Sequence, residues 1–313
     1  MSLSPRSRSA ALLCAATLIG AALGTQGPLT SMAELTHTDT LTGNVMTTRS
    51  ACTMGVGYAD AVQTLNPSFY WRMGESAPPV VTSVQDATPN DVDGTVRGAG
   101  LTFGASAPGL IECEDTFGVD FPGGATSSDF IVQQNPSPNT DTFTISAWIR
   151  TNTTDGGWVL GMGSSRWGPS INRDRVIYLQ ANGRPAFSVG ITPRTVLEGP
   201  APINDNAPHL LVGTLDASGM SLYIDGQLVA TDPSVTTGAS YTGNEPADPL
   251  PPGVPPTPDG MGYWRVGYDA TTGLGPSVPN QDQLAGTIDE VAVWEAQALT
   301  PTEVYGLYSQ NHW

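Results

Sequence analysis

The chain has 313 residues, 29 acidic and 12 basic side chains, and a net charge of −17; every basic residue is Arg. This acidity excludes a general nucleic-acid binder, which needs a basic face for phosphates, and 39% hydrophobic residues with only 13% charged exclude a disordered acidic tail. With 36 Gly and 27 Pro, the composition favours many short strands joined by turns over a helical bundle.

Residues 1–33 have the pattern of a secretory signal peptide. Arg6 and Arg8 form a basic n-region, and Ala10 to Gly24 is apolar. At about 15 residues that run is shorter than the ~20 of a membrane span. Ser31-Met32-Ala33 offers a small-x-small cleavage site. A secreted or surface-associated protein is the expectation, with membrane attachment only if the leader stays uncleaved. Beyond the leader, Cys52 and Cys113 are an even pair in an oxidising compartment, so a disulfide is expected; the alternative is two buried thiols. Residues 34–66 are Thr-rich and weakly patterned, an edge strand or a stalk.

From Phe69 the pattern sharpens. Phe69 to Met73 is strand-like, Gln85 to Gly94 a polar turn, and Asp115 to Phe121 and Asp129 to Gln133 alternate. In Thr142 to Arg150, Phe143, Ile145, Ala147 and Ile149 fall on one face, and Thr144, Ser146, Trp148 and Arg150 on the other, a strong strand signal. Trp158 to Met162 is another strand. Asn182-Gly183 turns a hairpin between Arg175–Gln180 and Pro185–Val189. Leu210–Leu215, Met220–Ile224 and Gln227–Ala230 make a meander. Residues 242–260 are Pro-rich, and because Pro lacks the amide donor of a central strand they are expected to be a surface loop. Tyr263–Tyr268 and Gly286–Trp294 are the last strands. Thr300-Pro301-Thr302-Glu303 then opens one short helix with a capping box. The expectation is an all-β antiparallel sandwich or jelly roll over residues 67–313.

Five phrases, in order, strengthen this. They are Phe69-Tyr70-Trp71-Arg72-Met73-Gly74-Glu75, Asp86 through Thr95, Phe143-Thr144-Ile145-Ser146-Ala147-Trp148-Ile149, His209 through Gly226, and Gly286-Thr287-Ile288-Asp289-Glu290-Val291 through Glu303. Together they resemble secreted bacterial laminin-G-like jelly-roll domains of the concanavalin A-like lectin/glucanase superfamily. Two departures are Pro208, where the family usually has Trp, and the long 242–260 insert.

The resemblance implies binding of carbohydrate or another surface ligand, often with Ca²⁺. Asp86, Asn90, Asp91 and Asp93 supply oxygen ligands within eight residues, either as a calcium loop or as an Asn/Asp turn bonding its own backbone. A pyranose ring would stack on exposed aromatics. Trp158 and Trp167 flank a Gly/Ser-rich segment, and Tyr241 and Tyr263 flank the insert, so these four are the candidates. Retaining glucanases of this fold carry two catalytic carboxyls about 5–5.5 Å apart. Here Asp289 and Glu295 share a face by alternation but lie roughly 20 Å apart along a strand, with Glu290 opposed. His209 is the one realistic base for a Ser–His–acid site, and its place at a strand start favours a structural role. A non-catalytic binding module is therefore expected. The rivals are an adhesive surface protein that recognises protein and, least, a glycoside hydrolase.

Overall fold

The alternation of residues 143–150 divides the molecule into layers. The structure, a computed structural model, describes residues 57–76, 80–111, 117–241 and 257–310. The leader, most of the Thr-rich segment, both Cys52 and Cys113, and nearly all of the Pro-rich insert lie outside the described residues. The elements begin with helix α1 (Tyr58–Thr64), followed by β1 (Phe69–Trp71), β2 (Ser83–Val84), β3 (Gly94–Arg97) and β4 (Val119–Pro122). Next come β5 (Phe130–Gln133), β6 (Ser137–Pro138), β7 (Phe143–Arg150), β8 (Gly157–Gly163), β9 (Arg173–Leu179) and β10 (Pro185–Val189). The chain closes with β11 (Thr195–Glu198), β12 (Pro208–Asp216), β13 (Gly219–Ile224), β14 (Gln227–Asp232), β15 (Met261–Val266), β16 (Ala285–Glu295) and helix α2 (Pro301–Ser309).

Two antiparallel sheets result. One has seven strands in the order β1-β16-β7-β12-β13-β14, with β4 also on β16. The other has nine, β11-β10-β9-β8-β15-β5-β3-β2, with β6 on β15. Phe143, Ile145, Ala147 and Ile149 of β7 enter the main core between them, together with Ile177, Leu179 and Phe187 of the nine-stranded sheet. The fold class is the expected one. Asn182-Gly183 and Asp225-Gly226 turn the chain as read, with Gly183 at φ +78 and Gly226 at φ +75, values open to a residue without Cβ.

The other face of β7 is not exposed to water. Trp148 lies between Tyr58 of α1, edge-on at 6.1 Å, and Tyr308 beyond the last core turn of α2, stacked at 6.0 Å. Tyr58, Val62, Val304 and Leu307 complete this second apolar cluster. The sequence indicates one helix, and an edge strand or a stalk over residues 34–66; in the described part of that segment, residues 58–64 instead form a second helix packed on the domain. A seven-residue helix is too short to hold alone, so its stability comes from this burial. The predicted capping box of α2 is present, Thr300 Oγ1 accepting from Glu303 N while Glu303 accepts from Thr300 N at 2.7 Å.

Strand β16 departs from simple alternation. Its register against β7 jumps from Asp289–Trp148 to Ala292–Ser146, so Glu290 and Val291 oppose the single Ala147. Glu290 has φ 50, and this bulge advances the facing by one residue. Ile288, Val291 and Val293 therefore all reach the inner core.

Candidate functional site

The bulge separates the acids that alternation had put on one face. Asp289 and Glu295 do not share a face, contrary to the even spacing in the sequence, because a one-residue slip exchanges the two faces. Asp289 turns outward, where its carboxylate accepts from Leu110 N and Glu290 N at 2.8 and 2.9 Å. Glu295 turns toward the inner core and accepts from the Trp264 indole at 2.7 Å. Glu290 is wholly buried beside the Tyr70 hydroxyl, with Arg72 Nε at 3.5 Å, and burial pushes its carboxyl well above the usual range. No two of these acids can flank a glycosidic bond. His209 bridges Asp225 (2.8 Å) and Asp205 (3.2 Å), acids on both ring nitrogens, which ties the start of β12 to the turn after β13.

The loop read as a calcium candidate is brought together, but as a turn. Asp86 Oδ1 accepts from Tyr70 N and Thr88 N, and Oδ2 from Thr88 Oγ1 and Val92 N, all at 2.8–2.9 Å. Asp93 accepts from Asp86 N at 2.9 Å, and the Asn90 amide donates to the Pro67 and Ser68 carbonyls. Asp91 lies at φ 59, a turn conformation. A carboxylate has about four acceptor sites, and Asp86 has filled them. The set does not fit Ca²⁺: a cation here would have to displace backbone donors that hold β1 to the loop. Among the described residues no cluster of three His, Cys, Asp or Glu side chains is placed to hold a metal.

Three of the four aromatic candidates are corrected. Trp158 is fully buried and donates its indole N–H to the Arg265 carbonyl at 3.1 Å. Tyr241 is 2% exposed, in the inner core, and donates to the Met162 carbonyl at 2.7 Å. Tyr263 packs with Phe130, Val132 and Tyr268. None presents a ring face to a sugar. Their flanking positions misled because each side chain packs into a different apolar cluster of the sandwich. Trp167 alone stays half-exposed, with the Arg97 guanidinium 3.8 Å above its ring.

A site absent from the sequence reading lies at one end of the nine-stranded sheet. A cleft of about 480 Å³ opens between the β10–β11 turn and the segment 234–240 after β14. Thr192, Thr195, Ser234, Thr236, Thr237 and Ser240 offer hydroxyls to it, with Val189, Ile191 and Val235 as apolar wall, and among the described residues no charged side chain lines it. Its size is that of a small-ligand site.

A buried ion pair fixes the two walls. Asp174 and Arg175 open β9, 0% and 1% exposed, with Asp174 Oδ2 2.8 Å from Arg175 Nη1. Asp174 also accepts from Gly190 N (2.6 Å) on one wall and from Ala239 N (2.7 Å) on the other. Arg175 donates to the Thr140 carbonyl at 2.8 Å. A Cβ at Gly238 would meet Arg175 Nη2 at 2.5 Å, so a larger residue there would press on the ion pair. The signal that could have pointed to the cleft was the Ser/Thr run 234–240 with Gly238 inside it, just ahead of the Pro-rich insert. In sequence it reads only as turn composition.

With this geometry in place, residues 124–248 match a laminin-G family model described as the concanavalin A-like lectin/glucanases superfamily. No curated protein matches the chain in sequence. Among solved structures, the native heptameric SAP-like pentraxin of Limulus polyphemus is 15% identical, with 60% of this chain and 80% of that chain covered and a TM-score of 0.43. Domain 4 of AbnA, a GH43 extracellular arabinanase from Geobacillus stearothermophilus in complex with arabinotriose, is 17% identical over 77% of this chain and 98% of that one, TM-score 0.47. Trypanosoma rangeli sialidase in complex with 2,3-difluorosialic acid is 16% identical, TM-score 0.49; the match covers 79% of this chain but only 33% of the sialidase. Likeness at this level says nothing of what this chain binds. The superfamily's name joins lectins with glucanases, so catalysis is decided by the carboxylates rather than by the fold.

Proposed function

We propose that the chain is a secreted, non-catalytic module that binds carbohydrate in the cleft between residues 189–195 and 234–240. The observation that carries this is the lining: six hydroxyl side chains and an apolar wall, with no charge among the described residues. A neutral, hydroxyl-rich ligand satisfies such a surface, whereas an ionic one would be desolvated without a partner. The non-catalytic reading is supported by Asp289 and Glu295, whose carboxylates are engaged in holding backbone and indole N–H groups. The leader-like residues 1–33 support export.

The test is a glycan array probed with the full-length chain, with Ca²⁺ and with chelator. Specific binding is expected in both conditions, since Asp86 has no vacant acceptor. Thr237→Trp, an exposed position at the rim, is expected to abolish binding without lowering the melting temperature. Binding to no glycan, or binding indifferent to Thr237→Trp, would overturn this reading and leave protein recognition as the account.

A further inference from the structure

A second feature lies outside the cleft, on the outer face of the nine-stranded sheet. Nine Arg residues fall among the described residues, in a chain with more than twice as many acids as bases. Seven have a partner. Arg72, Arg175 and Arg265 face Glu290, Asp174 and Asp269. Arg150, Arg173, Arg184 and Arg194 donate to hydroxyls or carbonyls. Arg97 and Arg166 make no hydrogen bond or ion pair among the described residues. They converge instead on Trp167, with guanidinium carbons 3.8 and 5.5 Å from its ring centroid.

The loop that carries Arg166 and Trp167 is held in place. Fully buried Arg265 donates to the Ser165 and Gly168 carbonyls at 2.6 and 2.7 Å. Asp269 accepts from Ser170 N at 2.6 Å, and Ser165 Oγ accepts from both Trp167 N and Gly168 N at 3.1 Å. Arg97 stands opposite Phe130 in the β3–β5 register, and Phe130 carries the Arg265 guanidinium 4.1 Å above its ring. Three cations thus share one patch, and Asp269 answers only one of them. Burial, then the charges of Arg166 and Arg265, lower the Arg97 pKa. Two half-buried guanidiniums gathered at one ring repel each other, and an oxyanion meeting both would relieve this. One planar fork on the end of β3 and another on a fixed loop suit a carboxylate. The net charge of −17 repels a polyanion as a whole, so the fitting ligand carries one oxyanion on an otherwise neutral body.

We propose that Arg97 and Arg166, set by Trp167, form a subsite for the carboxylate of an acidic sugar. The subsite stands apart from the cleft reading and does not need it. The test is calorimetric titration of the full-length chain at low salt with a neutral disaccharide extended by a single galacturonate, its methyl ester and a monosulfated disaccharide. The galacturonate-bearing sugar is expected to bind, and its neutral ester at least about tenfold more weakly, a difference of about 1.4 kcal/mol. Arg97→Gln and Arg166→Gln are each expected to weaken the acid about tenfold or more. Arg97→Lys, which keeps the charge but not the planar fork, is expected to fall between. Thr237→Trp in the cleft is expected to leave this binding unchanged, which separates the two readings. Should Arg97→Gln melt early for want of its stacking on Trp167, Arg166→Gln carries the test. The proposal is overturned if acid and ester bind alike, if neither oxyanion binds, if the sulfated sugar binds more tightly than the carboxylate, or if the Gln variants bind as well as the parent.

Discussion

Replacing Asp174 by Ala tests the claim that one buried carboxylate holds both walls of the cleft. In the parent chain this side chain accepts from Arg175 N and Nη1 at 2.8 Å, from Gly190 N and from Ala239 N. Removing one partner of a buried ion pair costs about 3–5 kcal/mol, because the other charge stays buried and uncompensated. Arg175 keeps the Thr140 carbonyl, which argues for the lower half of that range. Gly190 N and Ala239 N lose their acceptor, and each unsatisfied buried N–H costs about 1–3 kcal/mol, which argues for the upper half. A loss of about 4 kcal/mol is the working figure, or roughly 8–16 °C in melting temperature for a domain of this size. Calorimetry and urea unfolding measure it. The double variant Asp174→Leu with Arg175→Met removes both charges together and is expected to recover most of the loss. Glycan binding is expected to fall with Asp174→Ala even at temperatures where the variant is folded, since Gly190 and Ala239 are no longer tied to one group. A loss under about 1 kcal/mol, with binding intact, would refute the reasoning: the walls would then be held by something else.

Two further outcomes concern pH. Glu290 has a folded pKa raised by burial above its ordinary 4.5, so its contribution to stability is full below that value and is lost as pH rises through the folded one. Glu290→Gln is expected to match the parent at pH 4 and to equal or exceed it at pH 8 in urea unfolding; a deficit above about 1 kcal/mol at pH 8 would sink this assignment. For His209, burial works to lower the pKa, but the hydrogen bonds and charges of Asp225 and Asp205 outweigh it, and the net shift is upward from 6.5. Its contribution is therefore full below about pH 6.5 and fades as pH rises through the folded value. Asp225→Asn is expected to flatten that fall between pH 6 and 9, and parallel curves for parent and variant would show that His209 carries none of it.

The strand pattern was legible because period-two alternation depends on the chain alone. Phe143, Ile145, Ala147 and Ile149 face the inner core as their spacing required, and the hairpin and meander turns fall where Asn-Gly and Asp-Gly stand. What escaped the pattern was set by partners distant in sequence. Helix α1 shows no periodicity worth reading in seven residues, and it exists because Trp148 offers Tyr58 and Val62 a surface. The bulge in β16 leaves no mark in Asp289-Glu290-Val291, yet it separates two acids that alternation had put on one face. Trp158 and Tyr241 looked like rim residues because their neighbours are turn formers, but Trp158 packs with Val176, Tyr178 and Leu274 on one sheet face and Tyr241 enters the core between the sheets.

The acids misled for a related reason. A sandwich with this many loops exposes many backbone N–H groups that no ladder satisfies, and each buried one needs an acceptor. Asp86, Asp174, Asp269 and Asp289 supply them, accepting from backbone amides in four separate loops or strand ends. Most of the residue types that suggest metal binding or catalysis in such a sequence are thus doing the structural work of absent strands. Other groups carry the functional reading instead: the hydroxyls that line the cleft, and two arginines that the carboxylates among the described residues leave unpaired. In an acidic protein an unpaired cation is the rarer observation, and so the more informative one about what arrives from outside.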